Sequence, residues 1–131
     1  MVVDTSVLVA IVRGEDEGPG FIDLIDRSEA ALISAVAVVE AMSVLCGRRT
    51  GATRGQVERL VTRLGLSISS VDAAQQESAI TALLIFGKGR HPARLNLGDC
   101  FAYALAKSRN LPLLFKGDDF ARTDIVPAWG P

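Results

Sequence analysis

Acidic residues occupy places in this sequence where acids are unusual. Asp4 follows a short apolar run, and Glu40 is the only charged residue within a long apolar stretch. Asp99 begins a predicted helix, while Asp118 and Asp119 follow another apolar run near the end of the chain. Carboxylates that converge without basic partners repel one another, so such a cluster requires a cation. Ligation by oxygen atoms alone favours Mg²⁺ or Mn²⁺ over zinc.

Each acid taken singly also has an ordinary explanation. Asp4 could simply cap the next helix, and Asp99 could stabilise the positive end of its helix dipole. Glu40 could form a buried ion pair with an arginine such as Arg48, because an isolated buried carboxylate is costly. The two acids near the C-terminus could lie in a solvated turn. A metal site is therefore favoured by the set of acids and not by any one of them.

The elements that must position these acids alternate between strand and helix. Apolar runs predict strands at 1–3, 31–33, 66–71 and 113–115, with a short apolar segment at 125–126. Helical spacing and capping residues predict helices at 7–12, 21–27, 35–48, 53–64, 73–86 and 99–108. This alternation predicts one domain, 1–131, of three-layer α/β/α architecture, with a central parallel sheet of about four to five strands. The helix at 35–48 is expected to be buried on nearly every side.

The composition is that of a globular domain with a sizeable apolar core. Its 131 residues are 49% hydrophobic and carry a net charge of −1, and its longest apolar stretches are too short to span a bilayer. The N-terminus lacks the basic-then-apolar pattern of a secretory signal. Cys46 and Cys100 match no zinc or redox spacing and are predicted to be buried thiols in a reducing compartment. The cytoplasm is the expected location.

Basic residues form two local concentrations. One lies at 47–65, with five arginines against one acid. The other lies at 78–98, which contains Lys88, Arg90, His91 and Arg94 and no acid. Each stretch could be a plain solvated face, but beside an acidic metal site both would suit an approaching polyanion. With only one histidine and no glycine-rich phosphate loop, histidine-based chemistry and nucleotide-phosphate binding of the P-loop kind are unsupported.

Four segments together resemble one known family over essentially the whole chain. They are Val2-Val3-Asp4-Thr5-Ser6, Glu40 within its helix, Leu95-Asn96-Leu97-Gly98-Asp99-Cys100, and Leu113-Leu114-Phe115-Lys116-Gly117-Asp118-Asp119-Phe120 followed by Thr123-Asp124-Ile125. Their order and spacing are similar to the acidic motifs of the PIN domain. The last two resemble the VapC toxins of mycobacterial and related VapBC toxin–antitoxin systems.

This resemblance implies an endoribonuclease that depends on Mg²⁺ or Mn²⁺. Asp4 and Asp99 would hold the ion, Glu40 would orient or deprotonate the attacking water, and a fourth acid would complete the cage or bind a second ion. Many relatives have an acid where this chain has Gly117, so Asp119 is preferred as the fourth acid. Asp118 and Asp124 are the alternatives.

The resemblance also implies partners. Lys88, Arg90, His91 and Arg94 would contact the RNA backbone, and the scarcity of aromatic residues suggests recognition by RNA shape and phosphates. A homodimer and a cognate VapB-like antitoxin, which would block the acidic site with a basic side chain, are expected. No membrane association is expected.

Three other functions can be compared with the same residues. A haloacid-dehalogenase-type phosphatase needs an acid where Ser6 stands, and a response-regulator receiver needs its acid pair after the first strand. A PIN-like module that binds RNA or a partner without cutting stays open.

Overall fold

The computed structural model describes residues 1–129, which contain four strands and six α-helices. The strands are β1 (Val2–Val3), β2 (Ala31–Ser34), β3 (Leu66–Ser69) and β4 (Leu113–Leu114). The helices are α1 (Thr5–Val12), α2 (Gly18–Asp26), α3 (Ala35–Leu45), α4 (Arg54–Arg63), α5 (Ala73–Phe86) and α6 (Leu97–Arg109), and a 3₁₀ turn follows at Phe120–Arg122. All strand pairs are parallel, in the order β3-β2-β1-β4. The predicted fold class is confirmed.

The sheet separates two apolar cores, which makes the fold three-layered. Val3 and Leu114 pack with α1 to α4, whereas Val2 and Leu113 pack with α5 and α6. Neighbouring residues of a strand point to opposite faces, so even two-residue strands can supply both cores. β1 is completely buried, as expected for a central strand in a parallel sheet covered on both sides.

Side-chain caps fix where the helices nearest the sheet begin. Ser34 is the last residue of β2, and its side chain accepts a hydrogen bond from Val36 N, so β2 passes directly into α3. Asn96 caps α6, which therefore begins at Leu97, two residues earlier than predicted. These caps supply partners for backbone N–H groups that have none within the helix.

Two burial predictions for α3 are wrong. Only Ala37, Ala41 and Leu45 of this helix are buried, whereas Val39 is 70% exposed. The buried residues are four positions apart, so only one narrow stripe of the helix packs against the core. The apolar residues of the outer face stay exposed. The helix also ends at Leu45, three residues earlier than expected, so Cys46 lies exposed at its C-cap; Cys100 is buried, and both thiols are free.

The remaining differences are small. The short apolar segment at 125–126, for which no strand was predicted, runs beside β4, where Leu113 N donates a hydrogen bond to Val126 O. Within residues 1–129, no helix combines the length and the apolar character needed to cross a membrane.

Candidate active site

A cleft of about 430 Å³ opens beyond the carboxyl ends of β1 and β4, and acids dominate its lining. The acidic lining residues are Asp4, Glu15, Glu40, Asp99 and Asp119. Within the described chain, Lys116 is the one basic residue that lines it. The structure thus brings together acids that follow two strands (Asp4 and Asp119), begin one helix (Asp99) and lie within another (Glu40), beyond the carboxyl ends of parallel strands, where ligands of such sheets bind.

Asp4 is held through one of its two carboxylate oxygens. Its Oδ2 accepts hydrogen bonds from Ser6 N (3.0 Å) and Ser6 Oγ (2.6 Å), which caps α1. Its Oδ1 is buried and has no hydrogen-bond partner among the described residues. Burial raises the pKa of Asp4 above its usual range, and the nearby charge of Glu40 raises it further.

Asp99 combines a capping role with a place in the cleft. Asp99 N donates to Asn96 Oδ1 and Asn96 N donates to Asp99 Oδ2, both at 2.9 Å, so the two residues form a capping box. The side chain is buried, and this burial, together with the charges of Asp4, Glu40 and Asp119, raises its pKa to about 7. The acid is therefore poorly accommodated as a bare anion.

Glu40 projects from α3 against the first turn of α6. Its carboxylate lies directly over Gly98, and a methyl group at Gly98 would overlap it. Arg48 takes part in none of the ion pairs formed within residues 1–129, so the alternative of a structural Glu40–Arg48 pair is not realised. The role of Gly98 is visible only once α3 and α6 are placed together.

The three candidates for the fourth acid lie in different places. Asp119 lines the cleft, whereas Asp118 faces a neighbouring pocket. Asp124 accepts hydrogen bonds from Tyr103 Oη (2.8 Å) and Lys107 Nζ (2.9 Å) outside the cleft. The geometry thus favours Asp119.

The sequence did not reveal the hydrogen bonds that join the loop after β4 to α1 and to the segment before α2. Lys116 N donates to Ser6 Oγ at 2.9 Å, and Lys116 Nζ donates to Glu17 Oε2 at 2.9 Å and to Glu15 Oε2. These bonds raise the pKa of Lys116, and its ammonium group lowers that of Glu17. The only available signal was a lysine inside the fourth motif, because its partners lie about one hundred positions away.

The basic loop before α6 lies outside the lining of the cleft. Lys88, Arg90 and Arg94 are exposed there, and their contact with RNA stays a prediction. The His91 side chain makes local contacts instead. Its Nδ1 accepts a hydrogen bond from Ala93 N, and its ring packs edge-on against Phe86 at the end of α5.

The acids suit a divalent cation without being preassembled around one. Within residues 1–129, no three acidic, histidine or cysteine side chains already meet in an arrangement that could hold a metal ion. Uncompensated carboxylates repel, and Asp4 and Asp99 each turn one oxygen toward a cap. The buried Asp4 Oδ1, which lacks a partner, and the all-oxygen donor set nevertheless fit Mg²⁺ or Mn²⁺.

Comparison with known proteins gives a consistent result. The sequence pattern of a family described as PIN domain matches residues 1–126. Ribonuclease VapC42 of Mycobacterium tuberculosis is 45% identical, with 98% of each chain covered. Ribonuclease VapC36 of the same organism is 40% identical, with 95% of this chain and 91% of the relative covered.

Solved structures share the fold. The chain superposes with a TM-score of 0.73 on Mycobacterium tuberculosis VapC20, described as a toxin that cleaves the sarcin–ricin loop, at 23% identity and 95% coverage of each chain. A toxin–antitoxin complex from Klebsiella pneumoniae gives a TM-score of 0.70 at 19% identity, covering 98% of this chain and 97% of the other.

Proposed function

Because this chain belongs to the PIN domain family, we propose that it is an endoribonuclease and the toxin of a toxin–antitoxin pair. Relatives 40% and 45% identical over nearly the full chain are named ribonucleases. The observation that carries the proposal is the convergence of Asp4, Glu40, Asp99 and Asp119 on one cleft. The proposal treats the chain, 1–131, as one catalytic domain that acts in the cytoplasm.

Mg²⁺ or Mn²⁺ is the proposed cofactor, and Asp4 and Asp99 are its proposed ligands. Such an ion supplies Lewis-acid stabilisation of the phosphate and lowers the pKa of water. Asp4 Oδ1 is free to ligate because Ser6 occupies only Oδ2. Glu40, whose carboxylate lies over Gly98 beside Asp99, would orient or deprotonate the attacking water, and Asp119 would complete the anionic cage from the loop after β4.

The decisive experiment is cleavage of total bacterial RNA by the purified protein with Mg²⁺ or Mn²⁺. Discrete cleavage is expected, and it should vanish with EDTA and in the variant Asp99→Asn. Asp72→Asn is the matched control, because Asp72 caps α5 outside the cleft and asparagine can keep that cap. Binding of RNA without cleavage, by protein verified free of antitoxin, would instead favour a non-catalytic PIN-like binding module.

A homodimer is proposed because the outer face of α5 is unusually apolar. Ile80, Leu83, Leu84 and Ile85 are exposed, and no charged residue follows Glu77 in this helix. An exposed apolar patch of this kind marks a protein interface. A second copy of the chain is the proposed occupant of this face.

The cognate antitoxin is proposed to act on the acidic cleft. Five acids and one lysine line it, so an arginine or lysine side chain could occupy the position of the cation. Inhibition by purified cognate antitoxin should then weaken as the Mg²⁺ or Mn²⁺ concentration rises. Inhibition that is independent of metal concentration would place the block elsewhere.

A further inference from the structure

An aromatic pocket of about 390 Å³ adjoins the acidic cleft. Phe21, Phe115 and Trp129 line it together with Lys116 and Asp118. Lys116 lines the acidic cleft as well, so the two spaces are neighbours. The small number of aromatic residues in the sequence concealed the fact that three of them gather beside the candidate active site.

Trp129 packs against Phe21 and Gly20 and is partly exposed to solvent. Its ring meets the Phe21 ring edge-on, with centroids 5.7 Å apart, and Gly20 leaves room for the indole where a Cβ would come within 2.9 Å of it. Trp129 is nevertheless 46% exposed, so these contacts leave part of its surface open. A supported indole with an open surface can stack a planar ligand.

The charges in this pocket favour a nucleobase over a phosphate. Glu17 and Asp118 are its acids, and the ammonium group of Lys116 is already bonded to Glu17 and Glu15. Asp118 forms no ion pair within residues 1–129. A carboxylate repels phosphate but accepts hydrogen bonds from the amino groups of base edges.

We propose that the pocket formed by Phe115, Trp129 and Asp118 is a nucleobase subsite, which holds one unpaired base of the RNA next to the cleavage cleft. The inference rests on the proposed ribonuclease function and adds a recognition element to it. The base stacks on Trp129, and Asp118 accepts from an amino or imino group on its edge. The adjoining phosphate then passes over Lys116 into the acidic cleft. Structured RNA would therefore be cut where a base can leave its stack.

Trp129 is the only tryptophan in the chain, so its fluorescence reports directly on this pocket. The test uses the full-length Asp99→Asn variant and end-labelled, mixed-sequence single-stranded RNA twelve nucleotides long. Fluorescence anisotropy of the label measures binding, and tryptophan emission measures occupancy of the pocket. An abasic ribose-phosphate chain of the same length is the matched ligand. We expect emission to be quenched along the same curve as RNA binding, and the abasic chain to leave emission unchanged.

Cleavage kinetics of otherwise unaltered protein provide a second readout. Trp129→Leu keeps bulk over Gly20 but removes the stacking surface, and we expect KM to rise roughly five- to a hundredfold with kcat little changed. Trp129→Phe should recover most of that loss. Ile68→Ala, at an exposed apolar residue of β3, is the control that should not affect KM.

The outcomes separate the pocket from the nuclease activity. Cleavage by the wild-type protein combined with unchanged tryptophan emission on RNA binding would overturn the subsite alone. So would a Trp129→Phe variant as impaired as Trp129→Leu, since that would indicate packing and not stacking. If the wild-type protein neither binds nor cuts RNA, the proposed function fails and the subsite fails with it.

Discussion

Asp4 and Asp99 show how one carboxylate can serve both local structure and a site. Each caps a helix through a single oxygen, Asp4 toward Ser6 and Asp99 toward Asn96. The ordinary explanation of Asp4 as a cap is thus correct, and Asp99 lies in the first turn of α6, where stabilisation of the helix dipole was expected of it; neither role competes with the metal-site explanation. The caps fix the side-chain directions and use only Oδ2 of each acid, so the proposed metal could be held by the other oxygen.

Gly98 is the residue at which a minimal change should be most informative. In Gly98→Ala the added methyl overlaps the Glu40 carboxylate, and the flexible glutamate must move away. We expect cleavage efficiency to fall roughly tenfold or more, because small displacements of a positioned group are costly in the transition state. Thermal stability should change little, since alanine favours the helix over glycine.

Gly55→Ala is the matched control for this change. Gly55 also lies in the first turn of a helix, α4, and a Cβ there would meet only the mobile end of Arg59. This variant should keep full activity. Equal activity of Gly98→Ala and wild type would remove Glu40 from the reaction.

At the scale of elements, the sequence predicted what is locally encoded. The strands around Asp4 and Ser34 and the helices capped by Thr53 and Asp72 follow from short-range pattern and capping chemistry, and the structure contains them. The apolar run of α3, in contrast, did not reveal which of its faces would be covered. Nor did it reveal that the helix ends at Leu45, which leaves Cys46 exposed at the C-cap where burial was predicted.

The residues of the candidate site were also only partly predictable from the sequence. Asp4, Glu40, Asp99 and Asp119 could be named because each stands out from its neighbours in sequence. Glu15 and Lys116 could not, because their meeting depends on how the α1–α2 loop packs beside the loop after β4. Pairings between distant loops carry no periodic signal.

Lys116 connects these loops, and its loss should affect activity more than folding. In Lys116→Met the backbone bond to Ser6 is kept, but Glu15 is left uncompensated in the cleft and repels RNA phosphate. We expect cleavage efficiency to fall roughly tenfold, with only a small change in melting temperature because exposed ion pairs stabilise folds weakly.

A double variant distinguishes charge balance from loop positioning. Adding Glu15→Gln to Lys116→Met should restore part of the activity if the uncompensated charge is the cause. Lys107→Met, which breaks the pair with Asp124 outside the cleft, is the control and should be fully active. An unrestored double variant would contradict the electrostatic explanation.

The outer face of α5 makes a prediction about assembly. Leu84 is 55% exposed among other apolar residues, and a glutamate there would place a charge in the proposed dimer interface. Light scattering of Leu84→Glu should report a monomer where the wild type is a dimer. Val126→Glu changes an apolar residue elsewhere that is at least as exposed, and it should stay dimeric. A monomeric wild-type protein would contradict the assignment of this face.

At the scale of the whole molecule, the fold brings five of its fifteen acids to one end of the sheet. The lining of the cleft carries five acids, although the net charge of the chain is only −1. Bringing carboxylates together without a counter-charge opposes folding, because each raises the energy of the others. Repulsion between these carboxylates destabilises the folded state, and protonation or a bound cation reduces that repulsion. The free energy of unfolding should therefore depend on both pH and metal concentration.

The direction of this response follows from Asp99. Its pKa in the folded protein is about 7, well above the value of about 3.9 for an unperturbed aspartate. Between these values the folded state binds more protons than the unfolded state, so stability falls as pH rises through this window. Burial raises the pKa of Asp4 and acts in the same direction.

A bound cation competes with these protons, so metal and pH must act on stability together. Without metal, the melting temperature should fall by roughly 5 °C between pH 5 and pH 8. Millimolar Mn²⁺ should raise it at pH 8 and have little effect at pH 5, where protonated acids bind metal poorly. Asp99→Asn should flatten both dependences, whereas Asp72→Asn should retain them. Differential scanning calorimetry measures all three proteins, and an unaltered Mn²⁺ response in Asp99→Asn would show that the cation binds elsewhere.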